Sequence, residues 1–208
     1  MKHDILAPWA TPVPDAPYPA TIADLLGMPD DAWRHELIEG RLVRMPGSGT
    51  RATLLAQYLA FLLMTFARLR RLGNVSGPDG QYNLTRPGDT TETALIPDVA
   101  FVRVGRLPTH TDPAIAAIPA LAPDLVAEVA SPTQYHPEMD DKARLYPERG
   151  VRLVWILWPE RQQVDVWRPG STAPAATLGR NDQLDGSDVL PGFSHPVADL
   201  FDSYLIEP

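Results

Sequence analysis

The sequence predicts a mixed α/β fold (α+β, with one central mixed β-sheet flanked by helices). Three observations carry this. Residues 53–72 hold two adjoining i,i+4 rows, Leu54-Tyr58-Leu62-Phe66 and Leu55-Leu59-Leu63, which give a helix a broad apolar face. Short apolar runs at 95–104, 125–130 and 151–158, bounded by Pro, Gly and Asp, have the length of buried strands. A helix-like segment at 137–146 separates the last two, so the order is helix, hairpin, helix, strands, helix, strands.

In chain order, residues 1–19 are rich in Pro and Ala without periodicity and read as a flexible arm, leaving 20–208 as a single domain. Thr21 is placed to cap a short helix through Leu26, which ends near Gly27 and Pro29. Residues 35–45 read as a hairpin turning at Glu39-Gly40. The long helix follows, with Arg68, Arg70 and Arg71 near its end to suit the dipole and Gly73 as its C′ residue. Residues 81–85 form a strand, 86–89 a turn, and 105–122 a loop with a helical turn over 113–118. Pro132 ends the strand at 125–130. The strand at 151–158 pairs with 163–168, short strands follow, and 197–201 close in a helical turn.

At 208 residues with 44% hydrophobic and 21% charged residues, the chain has ample length for a core. The absence of cysteine excludes disulfides, thiolate metal sites and cysteine nucleophiles, and fits a cytoplasmic protein. The N-terminus lacks a signal-length apolar run, and Gln57 and the arginines from 68 to 71 leave the apolar run around Phe61 and Met64 too short to span a bilayer. No membrane partner is expected. A net charge of −8 excludes a generic nucleic-acid binder but not a nuclease, whose metal-site carboxylates add to the acidic count. The five histidines are scattered without ligand spacing, and no phosphate loop or nucleophile elbow is present.

Two apolar runs each carry one carboxylate where a buried strand would prefer none: Asp98 after Pro97, and Glu128 within Leu125-Val126-Ala127-Glu128-Val129. Alternation puts Asp98 with Ala100 and Val102, and Glu128 with Val126 and Ala130. If the strands are neighbours, the two carboxylates meet at one sheet edge. Close carboxylates resist ionising together unless a cation lies between them, and Mg²⁺ suits such oxygen donors. On the residues alone this reading stands level with a plainer one: strand-end carboxylates satisfied by backbone amides or an arginine.

The ordered set Pro97-Asp98, Glu128, Ser131-Pro132, Lys142, Tyr146, Gly150-Val151 and Trp155 resembles the Uma-type restriction endonucleases, a bacterial branch of the PD-(D/E)XK nuclease superfamily. The opening Thr21-Ile22-Ala23-Asp24-Leu25-Leu26 with Glu36-Leu37-Ile38-Glu39-Gly40, and the closing Val189-Leu190-Pro191-Gly192-Phe193, extend the resemblance to about residues 21–201. It implies a restriction-endonuclease-like core and a Mg²⁺-dependent endonuclease, with Mn²⁺ able to substitute. DNA would be cut by metal-activated water to leave 5′-phosphate ends. It implies Asp98 and Glu128 as metal ligands with the Val129 carbonyl, and Lys142 as the catalytic lysine. The usual E-x-K lysine position is Ala130 here, so the lysine has moved to the following helix. Glu36, Glu138 and Tyr146 are supporting candidates; the plainer readings are a structural bond for Glu36, core packing for Tyr146, and an i,i+4 surface pair between Glu138 and Lys142. Arg44, Arg51 and Arg103 are candidate nucleic-acid contacts. Analogy with enzymes that cut both strands implies a homodimer; Trp155, Trp158 and Trp167 on the late strands are core or interface residues by default, and their hairpin is a candidate interface. The chain departs from many members at the start of the long helix, where Thr50-Arg51-Ala52-Thr53 replaces a histidine-bearing stretch. Arg51 can contact phosphate there but cannot transfer a proton. The competing readings are an inactive nuclease-fold binding module, and a metal-dependent hydrolase of a small phosphoester. An arginine-lined open cleft would favour the nuclease, and a narrow acidic pocket the last.

Overall fold

The structure, a computed structural model, describes residues 11–31, 33–45, 47–112, 118–131 and 136–206, with backbone alone for 136–138. Thr21 caps α1 (Ile22–Leu26) in a reciprocal capping box with Asp24, as its position predicts. β2 (Arg34–Ile38) and β3 (Arg41–Met45) form the expected hairpin. Its turn residues have φ of 49° at Glu39 and 76° at Gly40, the left-handed pair that a two-residue hairpin needs.

The long helix α2 runs Thr50–Leu69. Its buried stripe is Leu55, Leu59 and Leu63 with Ala52, Ala56 and Ala67, while the second predicted row lies at the half-buried margin. By length and composition α2 would suffice to cross a membrane, contrary to the expectation, but its buried stripe packs on the central sheet. The helix ends in a Schellman motif: Leu72 N–H donates to the Ala67 carbonyl and Arg71 N–H to that of Arg68. Arg71, at φ 56°, takes the left-handed position expected of Gly73. Gly73 instead starts β4 (Gly73–Ser76), a strand not foreseen, where a Cβ would lie 2.2 Å from the Val102 carbonyl oxygen.

The strand expected at 95–104 is broken. Ala94–Leu95 forms β6 and Val99–Arg103 forms β7, in different sheets. Pro97 between them has no N–H to continue a ladder, and the chain crosses from one sheet to the other there. β8 (Leu125–Val129) leads through α3 (His136–Glu148) to β9 (Leu153–Trp158), which lies parallel to β8, as a helical crossover allows. β10 (Gln163–Trp167) and β11 (Ala176–Leu178) continue antiparallel.

The central mixed sheet runs β11-β10-β9-β8-β7-β4. One face, with Phe101, Ala127, Leu153 and Trp155, packs on α2 and on α4 (Val197–Asp202). The other, with Ala100, Val126, Val154 and Ile156, packs on Met139, Ala143 and Tyr146 of α3. The expected central mixed sheet flanked by helices is therefore present. β12 (Gln183–Asp185) and β13 (Ser194–Pro196) form a small ribbon.

A second, antiparallel sheet, β1-β3-β2-β6-β5, was not expected; β1 is Thr11–Pro12 and β5 Tyr82–Asn83. Over residues 11–19, the described part of the segment read as an arm, the chain is engaged rather than loose. From Thr11 the chain pairs with β3, Val13 N–H donates to the Leu42 carbonyl, and Ala20 is buried. The open edge of β3 supplies main-chain partners that composition does not reveal, and prolines are tolerated on such an edge. Residues 1–10, residues 113–117 of the helical turn expected over 113–118, and the break at Pro132 lie outside the described residues. The tryptophan hairpin is also corrected as an interface. Trp155 (0%), Trp158 (7%) and Trp167 (1%) are core residues, because both faces of β9 are covered.

Candidate active site between the two sheets

The Pro97 crossing delivers Asp98 to the start of β7. Extending the antiparallel register, in which Val99 faces Ala127, by one step places Asp98 opposite Glu128. Alternation turns both toward α3. There Val129 N–H donates to Asp98 Oδ2 at 2.9 Å, so the Val129 amide is the group that touches Asp98.

α3 supplies two groups from one face, four residues apart. Lys142 Nζ lies 2.8 Å from Glu128 Oε1, and the Tyr146 hydroxyl donates to the same oxygen at 2.5 Å. β2 supplies Glu36 from the other sheet. Glu36 Oε1 accepts from Ile96 N–H at 2.8 Å and lies 3.5 Å from Lys142 Nζ. That amide is available because the ladder is broken around Pro97. Glu36 Oε2 is buried without a hydrogen-bond partner among the described residues.

The cluster is closed: Glu36 is 1% exposed, Glu128 5%, Lys142 6% and Asp98 7%. Lys142 is therefore not a surface side chain; the side chain of Glu138, its i,i+4 neighbour, lies outside the described residues. Burial pushes the Asp98 carboxyl up to about 6, with the nearby Glu128 adding to the shift. Burial also raises Glu36, partly offset by Lys142. For Lys142 burial opposes the charge, but Glu128 and Glu36 outweigh it and hold the ammonium above its ordinary range. Burial, then Glu128, push the Tyr146 hydroxyl well up, so it remains a donor.

Three carboxylates thus share one buried cation. Arg34, from β2, adds a second positive charge at the margin, its Nη1 being 4.0 Å from Asp98 Oδ1. The donors are all oxygen, one of them orphaned, and their charge is under-compensated. That chemistry fits a hard divalent cation such as Mg²⁺. Among the described residues no three acidic or histidine side chains converge to hold an ion unaided, so water or backbone would complete its shell, as Mg²⁺ prefers.

The three candidate nucleic-acid arginines are not brought together. Arg44 faces His35 across the β2–β3 pair, on the side of that sheet opposite Glu36, and its guanidinium lies over Trp33. Arg51 is paired with Glu160 at 2.6 Å and bonded to Tyr204, on the α2 side of the central sheet. Arg103 closes the far end of β7, where its guanidinium donates to the Asp188 and Val189 carbonyls. Sequence reasoning missed Arg34 and the Ile96 amide. Arg34 stands two residues before Glu36, so alternation along β2 already placed it on the same face.

This frame, a mixed sheet with carboxylates on adjacent antiparallel strands and a lysine on the following helix, is that of a nuclease-like fold. It matches a crystal structure described as "a putative nuclease belonging to DUF820" from Anabaena variabilis, with a TM-score of 0.73 and 20% identity, over 90% of this chain and 100% of that one. The chain belongs to the Uma2 family, described as "Putative restriction endonuclease", whose model matches residues 22–198. No curated protein matches it in sequence.

Proposed function

We propose that this member of the nuclease family is a Mg²⁺-dependent endonuclease that hydrolyses DNA phosphodiester bonds, with Mn²⁺ able to substitute. The observation that carries the reading is the Lys142 ammonium locked onto Glu128 beside Asp98, deep among three buried carboxylates.

Asp98 and Glu128, with the Val129 carbonyl, would hold the cation. Bound there, it supplies the charge that polarises a phosphoryl oxygen and makes water a competent nucleophile at neutral pH. The chain's own groups do the rest. Lys142 stays protonated and can donate to the attacking water or to charge growing on phosphorus. Tyr146 fixes the Glu128 carboxylate by donating to Oε1. Glu36, with Oε2 uncommitted among the described residues, can orient a water. A homodimer cutting both strands, in the cytoplasm, completes the proposal by analogy with restriction enzymes.

The test is nicking of supercoiled plasmid in Mg²⁺ or Mn²⁺ by wild type and Glu128→Gln. Gln is preferred to Ala because Glu128 carries two buried partners. Cleavage by wild type alone is expected; equal cleavage by both would sink the site. The closure of the carboxylates and the scattering of the arginines favour a second reading, hydrolysis of a small phosphoester. Turnover of bis(p-nitrophenyl) phosphate without plasmid nicking would select it.

A further inference from the structure

We infer that Arg34 is the group that grips the substrate phosphate, and that Asp79 holds it in place until substrate arrives. The inference rests on the phosphodiesterase reading above. An anionic backbone approaching three carboxylates needs a cation that is free to turn toward it. Lys142 is not free, with its Nζ at 2.8 Å from Glu128 and 3.5 Å from Glu36, in the floor of the site. Arg34, at the margin of the cluster, is held among the described residues by ion pairs to Asp79 and Asp98 and by no hydrogen bond. Its side chain is 23% exposed, and Nη1 stands 4.0 Å from Asp98, outside hydrogen-bond range.

The guanidinium has spent none of its five N–H donors on a hydrogen bond with any described residue. Nε is buried and unbonded although Asp79 Oδ1 is 3.3 Å away, so that contact is an ion pair at poor hydrogen-bond geometry. Buried donors left unbonded are costly, and a planar fork next to a phosphodiesterase centre matches two phosphate oxygens at once. Asp79 is 79% exposed, the outer partner of a pair that solvent weakens. Its position does not depend on the ion pair. It lies in the loop between β4 and β5 at φ 78°, and Gln81 Nε2 ties that loop to the His35 carbonyl at 3.0 Å. Asp79 therefore sits beside Arg34 as a built-in competitor that an incoming phosphate displaces.

The experiment is fluorescence anisotropy of a labelled, hydrolysis-resistant phosphorothioate duplex in Mg²⁺ across a NaCl series, beside KM and kcat on the ordinary duplex. Arg34→Ala should weaken binding about tenfold and lower the salt slope by about 1, raising KM more than it lowers kcat. Arg34→Lys should recover part of the affinity, because charge returns without the fork. Asp79→Asn should tighten binding about two- to fivefold, and should do nothing in the Arg34→Ala background. If both Arg34 variants bind with wild-type affinity and slope while the wild type cleaves, Arg34 has no such role and the nuclease reading stands. An Asp79→Asn effect that persists without Arg34 overturns the coupling. A wild type that binds no duplex overturns both readings together.

Discussion

Lys142 is the residue on which the site's electrostatics turn. Removing it leaves Glu128 and Glu36 buried without their shared cation, which typically costs about 3–5 kcal/mol. Urea unfolding of Lys142→Ala at neutral pH should show that loss; a change below about 1 kcal/mol would mean that water reaches the pair. Asp98 makes a prediction of opposite sign to an ordinary salt-bridged carboxylate. Its folded pKa, about 6, lies above the ordinary 3.8, so the native state holds the proton more tightly than the unfolded chain does. Its contribution is fully present below pH 3.8 and is lost as pH rises to about 6, an amount on the order of 3 kcal/mol. In EDTA, Asp98→Asn should flatten the fall in stability between those pH values, and Mg²⁺ should lift the wild type above pH 6. An unchanged slope in Asp98→Asn would assign the titration to Glu36, whose shift has the same sign.

At the scale of elements, local chemistry was legible where it acts locally. The Thr21 cap, the Glu39-Gly40 turn and the i,i+4 stripe of α2 rest on contacts within a few residues, and all were readable. The end of α2 was not. Two residues compete for one role there, and packing decides: Gly73 is needed where β4 lies against Val102, so Arg71 takes the left-handed turn. Arg71→Gly should therefore stabilise the protein by about 1 kcal/mol, since glycine adopts that conformation without the Cβ penalty. Gly73→Ala should destabilise it by about 2–4 kcal/mol, because the obstacle is backbone rather than a movable side chain. Thermal or urea denaturation of the two variants compares them directly, and a gain from Gly73→Ala would refute the packing argument.

Across the whole molecule, what the sequence concealed was the partnership between sheets. Asp98, Glu128 and Lys142 could be singled out because carboxylates interrupt apolar runs and their order resembles a family. Glu36 was named through the same resemblance, but how it joins them, together with Arg34, depends on a second sheet, and nothing in a short strand's pattern says which sheet it enters. The same blindness hid the edge strand at Thr11. The two sheets are also tied by Arg149, at the end of α3, which pairs with Asp89 at 2.5 Å and Glu39 at 2.8 Å. Arg149→Met should let the hairpin of β2 and β3 exchange its amides before the central sheet does. Hydrogen exchange would check this, and uniform loss of protection in both sheets would show that they open as one unit.

The crossing at Ile96-Pro97-Asp98 also constrains how this chain can change over time. The connections from β3 through α2 to β4, and from β4 to β5, also pass between the two sheets, over longer stretches. The stretch between β6 and β7 links the sheet bearing Glu36 to the sheet bearing Asp98 and Glu128. A single inserted residue there would shift the register between the two halves of the cluster while leaving every side chain's identity intact. Length at this joint is thus as much a part of the candidate site's signature as the acidic letters themselves, and a relative that keeps the letters but not the spacing is expected to lack the same cluster.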